Sequence, residues 1–169
     1  MALQHPSDSE VTVRSGLPGG VASAATADLI AHIVERYHKG HRIGLPRLIG
    51  LARRVEAAHG DRAECPRGLG NLLSGMFEDL EDHQHTEEAV LFPAMANGVE
   101  TLHHPVARMM RDHAELGELL DFMADITDDL TPPQDACATW RALYAGCGRL
   151  DADLREQMQL ENSLLRRFL

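Results

Sequence analysis

Apolar residues recur along most of this chain at the three-and-four spacing of an amphipathic helix, in four separate stretches. The first is expected over residues 26–60, with Thr26 as N-cap. Its apolar face carries Ile30, Ile33, Val34, Tyr37, His41, Leu45, Leu48, Ala52 and Val55, and Pro46 inside it predicts a kink. The second is expected from Pro66, at a first helical position, to about Met95, with Leu69, Leu73, Met76, Leu80 and Leu91 on its face. Pro105 opens the third, whose stripe is Val106, Met109, Met110, His113, Gly117, Leu120 and Ala124. Pro132 and Pro133 launch the fourth, with Ala136, Trp140, Leu143, Cys147, Leu150, Leu154, Gln157, Glu161, Leu165 and Phe168 in line. Polar turns separate the four, and no stretch alternates as a strand does. The pattern predicts an all-α, up-down-up-down antiparallel four-helix bundle over residues 26–169. Residues 1–25, with Pro, Gly, Ser and Thr but no periodicity, predict a flexible N-terminal tail.

The polar exceptions on these stripes carry the chemistry. His83 and Glu87 fall inside the apolar arc of the second helix, whereas Glu81, His85 and Glu88 fall outside it and read as solvated. His113 is central on the third stripe, and Gly117 one turn later leaves empty volume or admits a neighbouring helix. Gln157 and Glu161 repeat the spacing of four on the last helix. On the first, His41 is near the centre of the stripe and His38 at its edge. One such histidine alone reads as a core residue with a nearby hydrogen-bonding partner. Four helices each sending a polar group inward read differently, because burying them unpaired consumes much of a marginal folding stability. Imidazole and carboxylate together suit iron, manganese or zinc, and carboxylates on facing helices can bridge two ions.

Composition narrows the partners. The formal net charge is −10 without a Lys/Arg-rich block, which disfavours nucleic acid and anionic membrane surfaces. No apolar run approaches the roughly 18 residues of a membrane span. Cys65, Cys137 and Cys147 make an odd count with no CxxC and, with no signal peptide evident, predict a cytoplasmic protein. Cys147 reads as a small buried hydrophobe. His59, His85, His103 and His104 read as surface residues, with His104 a candidate cap before Pro105. No P-loop, cofactor-binding glycine loop or nucleophile elbow is present.

Several motifs carry a family resemblance. They are Tyr37-His38-Lys39-Gly40-His41-Arg42 with Leu45-Pro46, Cys65-Pro66-Arg67-Gly68-Leu69, and His83-x3-Glu87-Glu88 with Leu91-Phe92-Pro93. They continue with His113-x3-Gly117-Glu118-Leu119-Leu120, Thr131-Pro132-Pro133 with Trp140, and Leu160-Glu161-Asn162. In these the chain resembles the hemerythrin-like (HHE cation-binding) family, in particular its bacterial di-iron members tied to iron–sulfur cluster repair after nitrosative stress. The resemblance implies two non-haem irons, with His38, His83 and His113 as ligands and Glu87 and Glu161 as bridging carboxylates. His41 then stands as a neighbour of the metal or an alternate ligand. Where the family has a further histidine this chain has Gln157, a neutral and weak oxygen donor. An open coordination position, a labile second iron or a one-metal site would follow.

The function implied is an iron donor for cluster repair in nitrosative or oxidative stress, with damaged iron–sulfur proteins as partners and NO or O2 as small ligands. The longer repair proteins carry an N-terminal module with paired cysteines, which is expected to be absent here. Three alternatives remain: a reversible NO or O2 sensor or scavenger, a redox turnover enzyme, and a degenerate, metal-poor bundle. A metal-binding stress protein is favoured over a turnover enzyme, and oligomeric state is left open.

Overall fold

A computed structural model describes residues 24–99 and 101–169. The expected tail, residues 1–25, lies almost wholly outside the described residues, and Ala24 and Ala25 are already helical. Four long helices follow among the described residues. The first, α1, runs through Ala24–Ile33, Val34–His38 and Lys39–His59. The second, α2, runs through Leu69–Thr86, Glu87–Leu91 and Phe92–Ala96. The third, α3, is His103–Ile126, and α4 is Ala138–Leu165, finished by the tight turn Arg166–Phe168. α1 packs on α2 and α4, and α3 closes the ring between the same two, so the bundle is antiparallel as expected.

The predicted helix starts need correction at three points. Pro66 is not a first helical position: Gly68 with φ +91° turns the chain first, and α2 begins at Leu69. The third helix starts two residues before Pro105, with Leu102 rather than His104 at its N-cap. The fourth begins at Ala138 after an extended Cys137, well past the two prolines. The motif containing Cys65 and Pro66 is a joint between helices. Arg67 donates to the carbonyls of Gly60 and Arg62, while the Glu56 carboxylate accepts from the amides of Gly68 (2.8 Å) and Gly70 (3.2 Å). The free ends of α1 and α2 are thereby closed by side chains.

Two turns depart from the α ladder. In Val34–His38 and again in Glu87–Leu91 the chain takes a wider π turn, with the Lys39 amide reaching the Val34 carbonyl and that of Phe92 reaching Glu87. Pro93 follows the second, and its missing N–H and bulky ring interrupt the ladder there in any case. No proline lies in the first. Pro46, expected to kink α1, sits in the uninterrupted segment Lys39–His59, so the irregularity lies upstream of it.

Burial divides the interior into two apolar clusters with a polar layer between. One gathers Leu45, Leu48, Leu73, Met76, Leu120, Trp140 and Leu143 around the lower halves of the helices. The other gathers Ile33, Leu91, Phe92, Met95, Val106, Met109 and Leu164 at the opposite end. His38, His41, His83, Glu87, His113, Gln157 and Glu161 are all buried and fall between these clusters in each helix.

Close packing of α1 on α4 rests on Gly146, where an added Cβ would lie 2.4 Å from Leu48 Cδ2. At Gly117 an added Cβ meets nothing within 4 Å, so this glycine leaves open space and admits no neighbouring backbone. Gly146→Val should therefore lower the unfolding free energy by about 2–3 kcal/mol through overpacking. Gly117→Ala should raise it by about 0.5–1 kcal/mol, the ordinary helix preference for alanine. Urea denaturation of the two variants checks both, and equal effects would disprove the packing distinction.

Candidate metal centre

The polar layer is built from inward-facing positions of all four helices. α1 places His38 at the end of its π turn, fully buried, with the Phe92 ring stacked on it at 6.0 Å between centroids. α2 brings His83 and, one turn on, Glu87 at the start of the second π turn. α3 brings His113, and α4 brings Gln157 and Glu161.

Each of three histidines is held from outside by an oxygen. His38 Nδ1 lies 2.7 Å from Glu88 Oε1, His113 Nδ1 lies 2.9 Å from Asn162 Oδ1, and His83 Nδ1 lies 3.5 Å from Asp112 Oδ2. An outer acceptor of this kind keeps the proton on Nδ1 and turns the Nε2 lone pair of a neutral ring inward. The Nε2 atoms of His83 and His113 face each other at 3.2 Å.

Between them stand two carboxylates, each spanning the layer. Glu87 sets Oε2 3.4 Å from His38 Nε2 and Oε1 3.5 Å from His83 Nε2. Glu161 sets Oε1 3.4 Å from His38 Nε2 and Oε2 3.1 Å from His113 Nε2. Both Glu87 oxygens and Glu161 Oε2 are buried and lack a hydrogen bond of acceptable geometry. Donor atoms of His83, Glu87, His113 and Glu161 all lie within 4.8 Å of one another. Inward lone pairs and unpartnered carboxylate oxygens around one volume fit a cation, which satisfies such groups where hydrogen bonds do not. The donor set of nitrogen and carboxylate oxygen suits a first-row transition metal.

Electrostatics point the same way. Burial alone would weaken the His38 imidazolium, yet Glu161, Glu87 and Glu88 outweigh it and raise its pKa to about 9. The His83 pKa also rises: burial opposes this, but Glu87, Glu161 and Asp112 prevail. Burial pushes the Glu161 carboxyl up, but His113, His38 and His83 hold it well below the usual carboxylate range. In the absence of metal, protons supply the positive charge this layer demands.

Sequence reasoning placed His83, Glu87, His113, Gln157 and Glu161 inside, and all are buried. The choice between His38 and His41 dissolves, because both are buried, and it is His38 that touches Glu87 and Glu161. Glu88 needs correction: it is half-buried and bonds His38 and Arg42 rather than standing solvated. It stands in the π turn itself, where a straight α wheel misplaces it. Asp112 and Asn162 were missed, since a residue that orients a histidine from outside has no spacing signature. His59 is also half-buried, with Nε2 3.3 Å from Cys137 Sγ and its ring 5.1 Å from that of Trp140, whereas His85, His103 and His104 are exposed. Cys147 is fully buried, which pushes its thiol pKa up to about 12. Gln157 donates Nε2 to Glu161 Oε1 at 2.7 Å, leaving its own oxygen without a partner.

Two cavities reach the layer at His113: one of about 330 Å³ between α3 and α4, beside Asn162, and one of about 220 Å³ between α2 and α3 that also touches His83. The cavity between α2 and α3 is lined by His83, His113, the four carboxylates Asp79, Asp82, Asp112 and Glu115, and a single cation, Arg108. Cations therefore meet carboxylates on this approach.

A four-helix bundle with histidines and bridging-type carboxylates across its middle defines a class of cation-binding helical proteins. Residues 29–169 match the hemerythrin HHE cation binding domain, and the chain belongs to that family. Among curated proteins it is 45% identical over 139 residues to the iron–sulfur cluster repair protein YtfE of Edwardsiella ictaluri, covering 82% of this chain and 63% of that protein. It is 44% identical over 144 residues to the protein of the same description from Musicola paradisiaca, covering 85% and 65%. For the one from Pectobacterium atrosepticum the identity is 41% over 143 residues, covering 84% and 65%. The chain thus spans less than two thirds of the length of these relatives. None of its described helices is long and apolar enough to cross a membrane.

Proposed function

We propose that this chain is a non-haem iron protein holding up to two irons in its polar layer, and that it supplies iron for repair of damaged iron–sulfur clusters under nitrosative or oxidative stress. The observation that carries the metal is the set of three histidines locked through Nδ1 by Glu88, Asp112 and Asn162 around both Glu87 oxygens and Glu161 Oε2, which hydrogen bonds leave unsatisfied. The repair role draws on the likeness to the proteins of that description.

On this reading Glu87 and Glu161 each offer one oxygen to a position beside His38 and the other to a position beside His83 and His113. When bound, iron supplies redox chemistry and affinity for diatomic ligands such as NO or O2. The protein's own residues fix the donors, exclude bulk water with Phe92 and Leu91, and leave the cavity between α2 and α3 as the route in and out. The two positions are unequal: the His83–His113 side has two imidazoles, and the His38 side has one with Gln157 beside it. The cavity reaches His83 and His113 while His38 is fully buried, so the iron beside His83 and His113 is the one an acceptor can draw out.

The test is anaerobic loading with ferrous iron, desalting, and transfer to an iron–sulfur protein whose cluster has been damaged by NO. Restoration of the acceptor's cluster spectrum, with loss of about one iron per donor chain, is the expected result. A chain that binds iron but never restores the acceptor would leave the second reading, a reversible NO or O2 sensor. The cavity over His83 and His113, large enough for a diatomic molecule, favours that reading next.

A further inference from the structure

His41 is 4% exposed, and neither of its ring nitrogens has a hydrogen-bonding partner. Buried polar groups in native proteins are almost always satisfied, so an imidazole idle at both nitrogens signals a missing partner. Its surroundings say which. His41 follows His38 by three residues, which on a helix sets the two on one face, a turn apart. Leu48 seats on Gly146 where α1 crosses α4. Two to three turns from that contact along the antiparallel pair lie His41 on α1 and Asp153 and Gln157 on α4. Asp153, His38 and Glu161 are charged neighbours of the His41 ring. Burial dominates its titration and lowers the pKa to about 4, so at neutral pH the ring is uncharged and its lone pair free.

Gln157 is differently engaged. Its amide nitrogen is held by Glu161 Oε1, and its oxygen is a second idle buried atom. Glutamine has no nitrogen lone pair to offer a metal, and here its NH2 serves to fix the carboxylate.

We propose that His41 supplies the cation position beside His38 with the imidazole that Gln157 does not, while Gln157 holds Glu161 in place for it. The inference rests on the iron-binding reading above, and it makes the His38 side a complete site rather than a decayed one. On occupancy the His41 ring turns towards His38, and its lone-pair nitrogen gains the metal as a partner.

The test compares the native chain with His41→Leu, His41→Gln, Gln157→His and the double variant His41→Leu/Gln157→His. Each is loaded anaerobically with ferrous iron, desalted in the presence of a chelator, and assayed for iron per chain, release rate, and imidazole neighbours by X-ray absorption. The native chain is expected to hold two irons. His41→Leu and His41→Gln should hold one, or release the second at least about tenfold faster, as loss of a donor group demands. The double variant should regain two. Metal-free His41→Leu should melt about 2–4 °C above the native chain, because it loses an unsatisfied buried group. That gain in the unloaded protein separates a lost ligand from a damaged fold, and His41→Gln, which keeps a polar side chain, guards against repacking by leucine.

Two irons with unchanged release in both His41 variants would overturn the proposal and leave His41 a residue satisfied by water. One iron in the native chain against two in Gln157→His would also overturn it, with the iron-binding reading intact. No iron in any variant, Gln157→His included, would sink the iron-binding reading itself.

Discussion

Glu161→Gln is expected to abolish tight iron binding and to destabilise the metal-free chain at the same time. The substitution keeps the shape of the side chain and removes its charge. In the native chain Glu161 is 1% exposed and contacts His38 and His113 through separate oxygens, with Gln157 donating to one of them. Removing one member of a buried charged set leaves the others uncompensated, which costs about 3–5 kcal/mol. Residues that merely orient a metal ligand change affinity by about 10–100-fold, so loss of a carboxylate facing both positions should exceed 100-fold. Iron per chain after desalting and urea unfolding at neutral pH are the measurements, with the exposed Glu118→Gln as control. Stoichiometric iron in Glu161→Gln would remove this carboxylate from the site.

The second large effect is a loss of stability at alkaline pH that only the metal-free protein shows. The folded-state pKa of His38 is raised to about 9, against about 6.5 for an unperturbed histidine, and that of His83 is raised as well. A group whose folded pKa is raised contributes stability that is fully present below its unfolded pKa and is lost as pH rises through the folded one. The metal-free chain should therefore weaken between about pH 6.5 and 9, by up to about 1.4 kcal/mol per pH unit for each histidine involved. Iron-loaded protein binds these rings in their neutral form, so its urea midpoint should stay flat over that window. His38→Gln should flatten the curve of the metal-free chain. Glu161 acts in the opposite direction: its folded pKa is depressed, so its contribution holds above the usual carboxylate range and is lost on acidification. An alkaline-stable metal-free protein would refute the view that protons occupy the place of the metal.

Much of this was legible in the sequence, for a physical reason. Helices with a regular 3.6-residue period announce which side chains face inward, and His83, His113, Gln157 and Glu161 lie in regular segments. His38 and Glu88 do not. Each stands within a π turn, where every residue beyond it is rotated by roughly one α step of 100° relative to the expected wheel. That is why spacing favoured His41 over His38 and sent Glu88 to solvent. The oxygens that orient the histidines were illegible for another reason. Asp112 and Asn162 act across helix boundaries, and periodicity within one helix says nothing about the neighbour it meets. The late start of α4 follows from a further turn after the prolines, closed by the Ala136 amide on the Pro133 carbonyl, and from the extended Cys137 that comes after it. The resemblance supplied His38 where the wheel could not, because it compares chains position by position and needs no assumption of a uniform helix.

The two π turns also bear on how this chain lines up with shorter or longer versions of itself. Each adds one residue beyond what an α ladder needs, so each is an insertion absorbed within a helix rather than in a loop. Deleting Val34 should relax this turn to the regular α ladder and leave Ile33, fully buried in one cluster with Phe92 and Met95, in the core, whereas deleting one residue from the regular segment Lys39–His59 would swing the part before it about 100° around the axis. A single-residue gap inside these helices, ordinarily dismissed as an alignment error, would thus be a real difference in wiring.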